Sequence, residues 1–333
     1  MTEPPLPPED DNELESSLER GLRRQPLSPE ALERMRLHVL AEFRRRHGVR
    51  SAPRRHGRWW ALAAAVSVLA VGAVLFSSFL TGNTVVAQLE SSSGGGVLMP
   101  VEGAAQQPVR IGGQLHALER WNVRGPIRAK LAAGGTLRMS EGALVGALEP
   151  DSIVLDSGRA YFDFPPGSTP FFIQTSLGVI EHVGTQFEVT QSDRGVRVRV
   201  REGSVILRGS GQDVSIDKGM ELLVERNGRV ERSASPTYGD DWAWVEAMAP
   251  PYDIENRRLS DFLSWVARET GRQVTYLDTR AHEVADRTTL HGSVQGLRPM
   301  EALDQVLSTT TLRFEVKDGE IRIALFAELR RLD

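Results

Sequence analysis

The longest apolar run of the chain is WWALAAAVSVLAVGAVLFSSFL, residues Trp59–Leu80, which carries no charged residue. At a rise of about 1.5 Å per residue a helix of this length reaches about 33 Å, enough for a hydrocarbon core of about 30 Å. Seven arginines precede the run between Arg44 and Arg58, and no basic residue follows it until Arg110. The pattern predicts a transmembrane helix over residues 59–80, with its N-terminal side in the cytoplasm and the C-terminal regions outside.

The segment before this run, residues 1–58, is predicted to be a short helical arm. Ser28 suits the N-cap and Pro29 the first turn of a helix over SPEALERMRLHVLAEFRRR. Its apolar residues share one helical face. They are Leu32, Met35, Val39, Leu40 and Phe43. Two interpretations stay open: a helical hairpin that solubilises the Arg-rich flank or lies on anionic lipid of the bilayer, or a partner interface for a cytoplasmic protein.

Beyond the apolar run, residues 84–233 alternate apolar and polar positions in short segments with glycine at the turns. This period of two predicts an all-β region. In GVRVRVREGSV three valines point one way, and Arg197, Arg199 and Arg201 point the other. The arginine face could hold a polyanion, although such a row is more often solvated.

A weak repeat also runs through this region, in which an apolar residue is followed three positions later by glycine. The four copies are Leu131 to Gly134, Leu155 to Gly158, Val200 to Gly203 and Ile216 to Gly219. Irregular repeats of strand and turn favour a β-solenoid or a twisted sandwich.

The stretch EHVGTQFEV raises the question whether Thr185 is a nucleophile or part of a structural corner. A nucleophile needs a base within hydrogen-bond reach. His182 lies three residues earlier, which in a strand is about 10 Å away and on the opposite face. Gly184 supplies backbone freedom, and Phe187 and Val189 resume the inward alternation. We therefore interpret Gly184-Thr185 as a corner of the β architecture.

After a predicted linker over residues 234–251, the period changes to that of a helix. In residues 252–326 the pattern reads strand, helix, strand, and then repeats. The first helix has its stripe at Leu259, Phe262, Leu263 and Val266, and Gly271 follows where it should stop. Two β-α-β units of this size predict a small α+β domain.

Composition narrows the possible chemistry. The net charge of −4 gives no reason to expect a nucleic-acid partner, and the absence of cysteine excludes thiolate metal sites and cysteine nucleophiles. The seven histidines show no metal-ligand spacing, and nothing positions Asp240, Asp241 and Asp253 for acid–base catalysis. The sequence predicts no catalytic residue, metal or cofactor, and hence no enzyme.

Four segments carry a family resemblance in their order: LDSGRAYFDF (155–164), PFFIQT (170–175), HVGTQFEV (182–189) and VRVREGSV (198–205). Together they resemble the FecR family of membrane-anchored regulators of extracytoplasmic-function sigma factors. The resemblance implies an all-β periplasmic domain with structural hallmark residues. These are Gly158, Phe162, Gly184, Thr185, Phe187 and Gly203. The Asp-Gly-Ser turn usual upstream in the family is replaced by LAAGGTLRM (131–139).

The C-terminal pattern, over about 252–325, resembles the short N-terminal domain of secretins and TonB-dependent receptors. The combined resemblance implies a single-pass regulator of the inner membrane. It would relay a signal from the signalling domain of an outer-membrane TonB-dependent receptor to a cytoplasmic sigma factor. The family's Trp-containing N-terminal helices have no counterpart, because residues 1–58 contain no Trp. The alternatives are a non-signalling envelope scaffold and, with less support, an envelope hydrolase.

Overall fold

The computed structural model describes residues 84–92, 96–101, 108–209 and 213–326. Strands make up 48% of these residues and helices 17%. Their buried apolar side chains form two large cores that share no residue, one spanning Val86 to Val224 and one spanning Ile254 to Ile323. We call residues 84–234 the β unit, residues 235–251 the bridge and residues 252–326 the C-terminal unit.

The predicted fold class needs correction where it includes a membrane-spanning helix. In the part of the chain that the structure describes, no helix is both long and apolar enough to cross a membrane. The longest has 12 residues, which is about 18 Å at 1.5 Å per residue. This finding contradicts the predicted fold class and the predicted single-pass inner-membrane location. The predicted helical arm and the run Trp59–Leu80 lie outside the described residues.

The β unit is built from hairpins. Its strands are β1 (Val85–Ser92), β2 (Val97–Pro100), β3 (Gln114–His116), β4 (Arg120–Arg124), β5 (Ile127–Leu131), β6 (Thr136–Met139), β7 (Leu144–Glu149), β8 (Ser152–Asp163), β9 (Phe172–Thr175), β10 (Gly178–Gln191), β11 (Gly195–Arg208), β12 (Val214–Asp217), β13 (Met220–Glu225) and β14 (Val230–Ala234). They join one sheet, in which ten strands follow the order β14-β13-β11-β10-β9-β8-β6-β5-β1-β3. Off this path β12 pairs with β11, β2 with β4, β4 with β7 and β7 with β8, and β10 also pairs with β8. Side chains from β1 through β13 meet in a single core, so the sheet must curve around it.

The expectation of a solenoid is wrong, because a solenoid stacks parallel rungs. Within the described part of the β unit, the pair β8–β9 is parallel and the other strand pairs are antiparallel. Short turns such as Asn227-Gly228 between β13 and β14 return the chain directly beside the strand just completed. The glycine repeat marks turns at Gly134 and Gly219 and irregular points within long strands at Gly158 and Gly203, all with positive φ.

The C-terminal unit packs helices on a three-stranded sheet of order β15-β17-β16. After the short helix α1 (Ala243–Glu246) of the bridge come α2 (Leu259–Thr270), β15 (Gln273–Tyr276), α3 (Thr279–Arg287), α4 (Pro299–Ser308), β16 (Leu312–Lys317) and β17 (Glu320–Leu325). The pattern predicted α2 and α4 but missed α3. The strand expected before α2 is absent from the described residues, where Arg258 forms only an isolated bridge with Thr289. The domain boundaries given above stay predictions.

Candidate functional site

A line of polar side chains crosses the β unit on the face opposite its core. Cross-strand registers place Arg128 beside Arg138, Arg138 beside Tyr161, Tyr161 beside Glu188, and Glu188 beside Arg199. These five residues, which we call the polar row, are at most 6% exposed. Charged groups are seldom buried this far without partners. Something must therefore cover the row and satisfy its charges.

The bridge is that cover, and Trp242 is its main anchor. The indole is fully buried and lies 4.7 Å from the Arg199 guanidinium and 5.1 Å from that of Arg201. The ring of Tyr161 meets it edge to face at 6.0 Å. The indole N–H donates to the carbonyl of Pro236 at 2.7 Å. An aromatic ring this close to two guanidiniums gains cation–π attraction as well as burial.

Arginines of the polar row also bind the backbone of the bridge. Arg138 Nη1 donates to the Val245 carbonyl at 2.8 Å. Arg128 Nη1 donates to the carbonyls of Met248 at 3.2 Å and Ala249 at 2.9 Å. These carbonyls lie in and just after α1, where a helix leaves acceptors unsatisfied, so cationic donors are well placed there. The bridge thus runs across the strands from β11 to β5.

Glu188 is the charged centre of the row, with a side chain that is 0% exposed. Its carboxylate accepts hydrogen bonds from Arg199 Nη2 at 2.9 Å and from Trp244 Nε1 at 2.8 Å. Arg197 and Arg159 lie further off, at 3.5 and 3.8 Å. A buried carboxylate ringed by donors is stable while they all stay in place.

The end of α2 adds a second set of contacts. Glu269 pairs with Arg138 at 2.6 Å, and both side chains are at most 3% exposed. Arg268 pairs with Asp163 and, at 3.2 Å, with Glu202. The β unit and the C-terminal unit therefore meet through charges, while their apolar cores stay apart.

One ion pair of the bridge is unfavourably buried. Glu246 pairs with Arg201 at 3.3 Å, and Arg201 Nε also donates to the Thr237 carbonyl at 2.7 Å. Burial raises the pKa of Glu246 above its usual value, although Arg201 opposes the shift. The charge on this carboxylate thus costs free energy when the bridge is docked.

The expectation for the arginine face of β11 was wrong for two of its three residues. Arg199 and Arg201 are 2% and 1% exposed, neither solvated nor available to a polyanion, and Arg197 is half-buried. Sequence alternation showed that they share a face but not that the bridge covers it. A usable signal was present in the bridge, since DDWAWVEAM has two tryptophans, too many for a segment exposed to solvent.

The predicted corner lies within β10, where the register with β11 shifts between Val183 and Gln186. Gly184 has φ 62°. Thr185 is 1% exposed, and its Oγ1 makes no hydrogen bond within the described residues. A Cβ on Gly203, opposite on β11, would lie 2.7 Å from the Gly184 carbonyl oxygen and from Thr185 Cγ2. No base contacts the hydroxyl in this arrangement, and the structural interpretation of the pair stays a prediction.

The other predicted hallmark residues lie in or against the core of the β unit. The rings of Phe162 and Phe187 stack with centroids 5.1 Å apart. A Cβ on Gly158 would lie 2.5 Å from Ala143 Cα. The predicted partner interface Leu32, Met35, Val39, Leu40 and Phe43 lies outside the described residues.

His182 holds the corner in place as a neutral ring. Its Nε2 lies 3.0 Å from the Thr169 carbonyl, and its Nδ1 accepts from the Gly184 N–H at 3.1 Å. The ring stacks on Phe164 at 3.8 Å. Burial lowers the pKa of His182 below its usual 6.5, although the Thr169 carbonyl and Glu181 oppose the shift. A proton on Nδ1 would break the bond to Gly184.

We expect this histidine to make the protein less stable in mild acid. Because the folded state has the lower pKa, the unfolded state binds more protons below pH 6.5, and stability falls as the pH drops from 6.5 toward the folded pKa. Denaturation at pH 7.5, 6.5 and 5.5 measures the slope. His182→Gln should flatten it. Equal slopes for wild type and His182→Gln would contradict the assignment.

Comparison with known proteins finds a family similarity in part of the β unit. Residues 126–206 match the family model described as FecR protein, a stretch that runs from β5 into β11 and contains the whole polar row. No curated protein sequence matches the chain.

Two crystal structures of proposed anti-sigma factors from Parabacteroides distasonis ATCC 8503 are similar in part. One shares 16% identity and a TM-score of 0.31, covering 59% of this chain and 92% of that one. The other shares 15% identity and a TM-score of 0.27, covering 72% and 99%. Scores this low do not establish a common fold.

Proposed function

We propose that this chain is a FecR-type regulator of a sigma factor and not an enzyme. The observation that carries the proposal is the FecR match over residues 126–206. The described residues hold no group of three or more His, Asp or Glu side chains that could bind a metal. The buried charges of the polar row bind the bridge and α2, so they are occupied in holding the chain's own parts together. This arrangement suits a protein that works through contacts with partners.

In this proposal the C-terminal side of the chain receives the signal. Its α+β unit, with α2 and α4 packed beside the β15-β17-β16 sheet, supports the resemblance to the secretin and TonB short N-terminal domain. The proposed partner is the signalling domain of an outer-membrane TonB-dependent receptor. Co-purification of the full chain with such a domain, from a receptor gene beside its own, tests this half of the proposal.

The proposed binding of a sigma factor is tested by substitutions in the predicted apolar stripe of residues 1–58. The full chain is used as bait in cytoplasmic extract, and the captured proteins are identified by mass spectrometry. Val39→Asp with Phe43→Asp should weaken capture of a sigma factor at least about a hundredfold, because buried anchors carry most of the binding energy of such contacts. The control is Arg34→Asp with Ala41→Asp, which places two aspartates on the opposite predicted face and should leave capture intact.

Two outcomes would count against a sigma regulator. If neither the wild type nor the control retains a sigma factor above background, the proposal fails and a non-signalling scaffold becomes the better interpretation. If the stripe variant captures as much as the wild type, the sigma factor binds elsewhere and the stripe is not its interface.

A further inference from the structure

The C-terminal unit and the β unit contact each other through charged side chains. On the side of the C-terminal unit, its ion pairs come from two adjacent residues, Arg268 and Glu269, at the end of α2. Their partners in the β unit are Arg138, Asp163 and Glu202. Permanent interfaces are mostly apolar, whereas interfaces that open are more polar.

Opening this contact would divide neither of the two large apolar cores. The two large cores share no residue, so each unit would keep its core when the units part. The small apolar cluster of Tyr161, Trp242 and Val245 lies between the bridge and the β unit, and it contains no residue of the C-terminal unit. Arg268, Asp163 and Glu202, which are already partly exposed, would regain water, and this offsets much of their lost attraction.

The chain has a connection at which the two units could part. Arg128 holds the carbonyl of Ala249, and Pro250-Pro251 follow without regular structure before the C-terminal unit begins. Neither proline has a backbone N–H to bond. The C-terminal unit also meets the bridge, where α2 lies against α1 and where Thr237 Oγ1 donates a hydrogen bond to the Gly271 carbonyl at 2.8 Å. It also does so at Tyr238, which lies against Arg272 and Gly319.

We propose that Arg268 and Glu269 form a releasable latch: the C-terminal unit swings away as a folded domain about Pro250-Pro251, while the bridge stays on the polar row. The latch is a property of the chain itself and does not rest on the proposed function. It gives the molecule a closed and an open state, which a partner that favours one of them can bias.

The absence of native cysteine allows a direct test on the full chain. Cysteines replace the exposed residues Asp193 in the β unit and Gln305 in α4, and spin labels on them report the distance by pulsed electron resonance. The wild type should give one narrow distance. Arg268→Gln with Glu269→Gln should add a longer distance and raise its population at least about tenfold, because it removes two charged partners of the buried contact. Circular dichroism should stay unchanged.

The matched control is Arg194→Gln with Glu225→Gln, which removes a 2.8 Å ion pair lying within the β unit and should leave one distance. A single unchanged distance in the latch variant would overturn the proposal. So would loss of the β-sheet signal in both the latch variant and the milder Glu269→Gln, since the charges would then serve folding and not closure. No sigma factor enters the assay, so its failure and that of the proposed function can be told apart.

Discussion

Trp242→Ala is expected to lower the free energy of unfolding by about 3–5 kcal/mol, the cost usual for removing a buried large aromatic side chain. The indole is 0% exposed and lies within about 5 Å of the guanidiniums of both Arg199 and Arg201. Without it those charges would face a cavity, and the bridge would lose its main anchor. Urea denaturation followed by far-UV circular dichroism measures the loss.

Trp244→Ala is the matched control, because it removes the same side chain from the same bridge. Trp244 is only half-buried, so its removal should cost about 1–2 kcal/mol, mostly through the lost bond to Glu188. If Trp242→Ala cost no more than Trp244→Ala, the bridge would not be anchored at Trp242, and our account of the polar row would be wrong.

Hydrophobic alternation was enough to predict the strands of the β unit but not what covers them. In β11 the alternation correctly separated Val196, Val198 and Val200, all fully buried, from the arginines on the other face. It could not show that Arg199 and Arg201 are buried too. An alternation with period two shows which side chains share a face of the strand. Whether that face is exposed to solvent depends on contacts with residues some forty positions later in the chain.

The short helix α3 was missed for a related reason. Its buried residues are Ala281 and Ala285, which are too small to make a clear apolar stripe. The usable signal was Asp278, whose side chain caps the helix by accepting from the Ala281 N–H at 2.7 Å. The bridge was predicted to be a linker, because its contacts are made to strands far away in the sequence, which local patterns do not reveal.

Substitutions at the Gly184-Thr185 corner should show that backbone space matters there more than the hydroxyl. Gly184→Val should cost about 1–3 kcal/mol, because φ is 62° and a Cβ would lie 3.2 Å from Pro166 Cα. Thr185→Ser should leave the fold and any activity unchanged, because the Thr185 hydroxyl makes no hydrogen bond to the residues that the structure describes. A folded Thr185→Ala variant without function would contradict the structural interpretation.

The largest loss at this corner is expected for Gly203→Val, about 3 kcal/mol or more. Its φ of 73° is unfavourable for a branched side chain, and its Cβ would lie 2.7 Å from the Gly184 carbonyl oxygen, which is backbone and cannot turn away. Gly142→Val separates the cost of the positive φ from the cost of the steric clash. Gly142 has φ 79°, but nothing lies within 4 Å of its Cβ position. It should therefore show the cost of the backbone alone, about 1–2 kcal/mol. Denaturation of both variants gives the difference. If Gly203→Val and Gly142→Val lowered the free energy of unfolding equally, the backbone of β10 would be able to shift at Gly184. Gly184 and Gly203 would then not be packed as tightly as their geometry indicates.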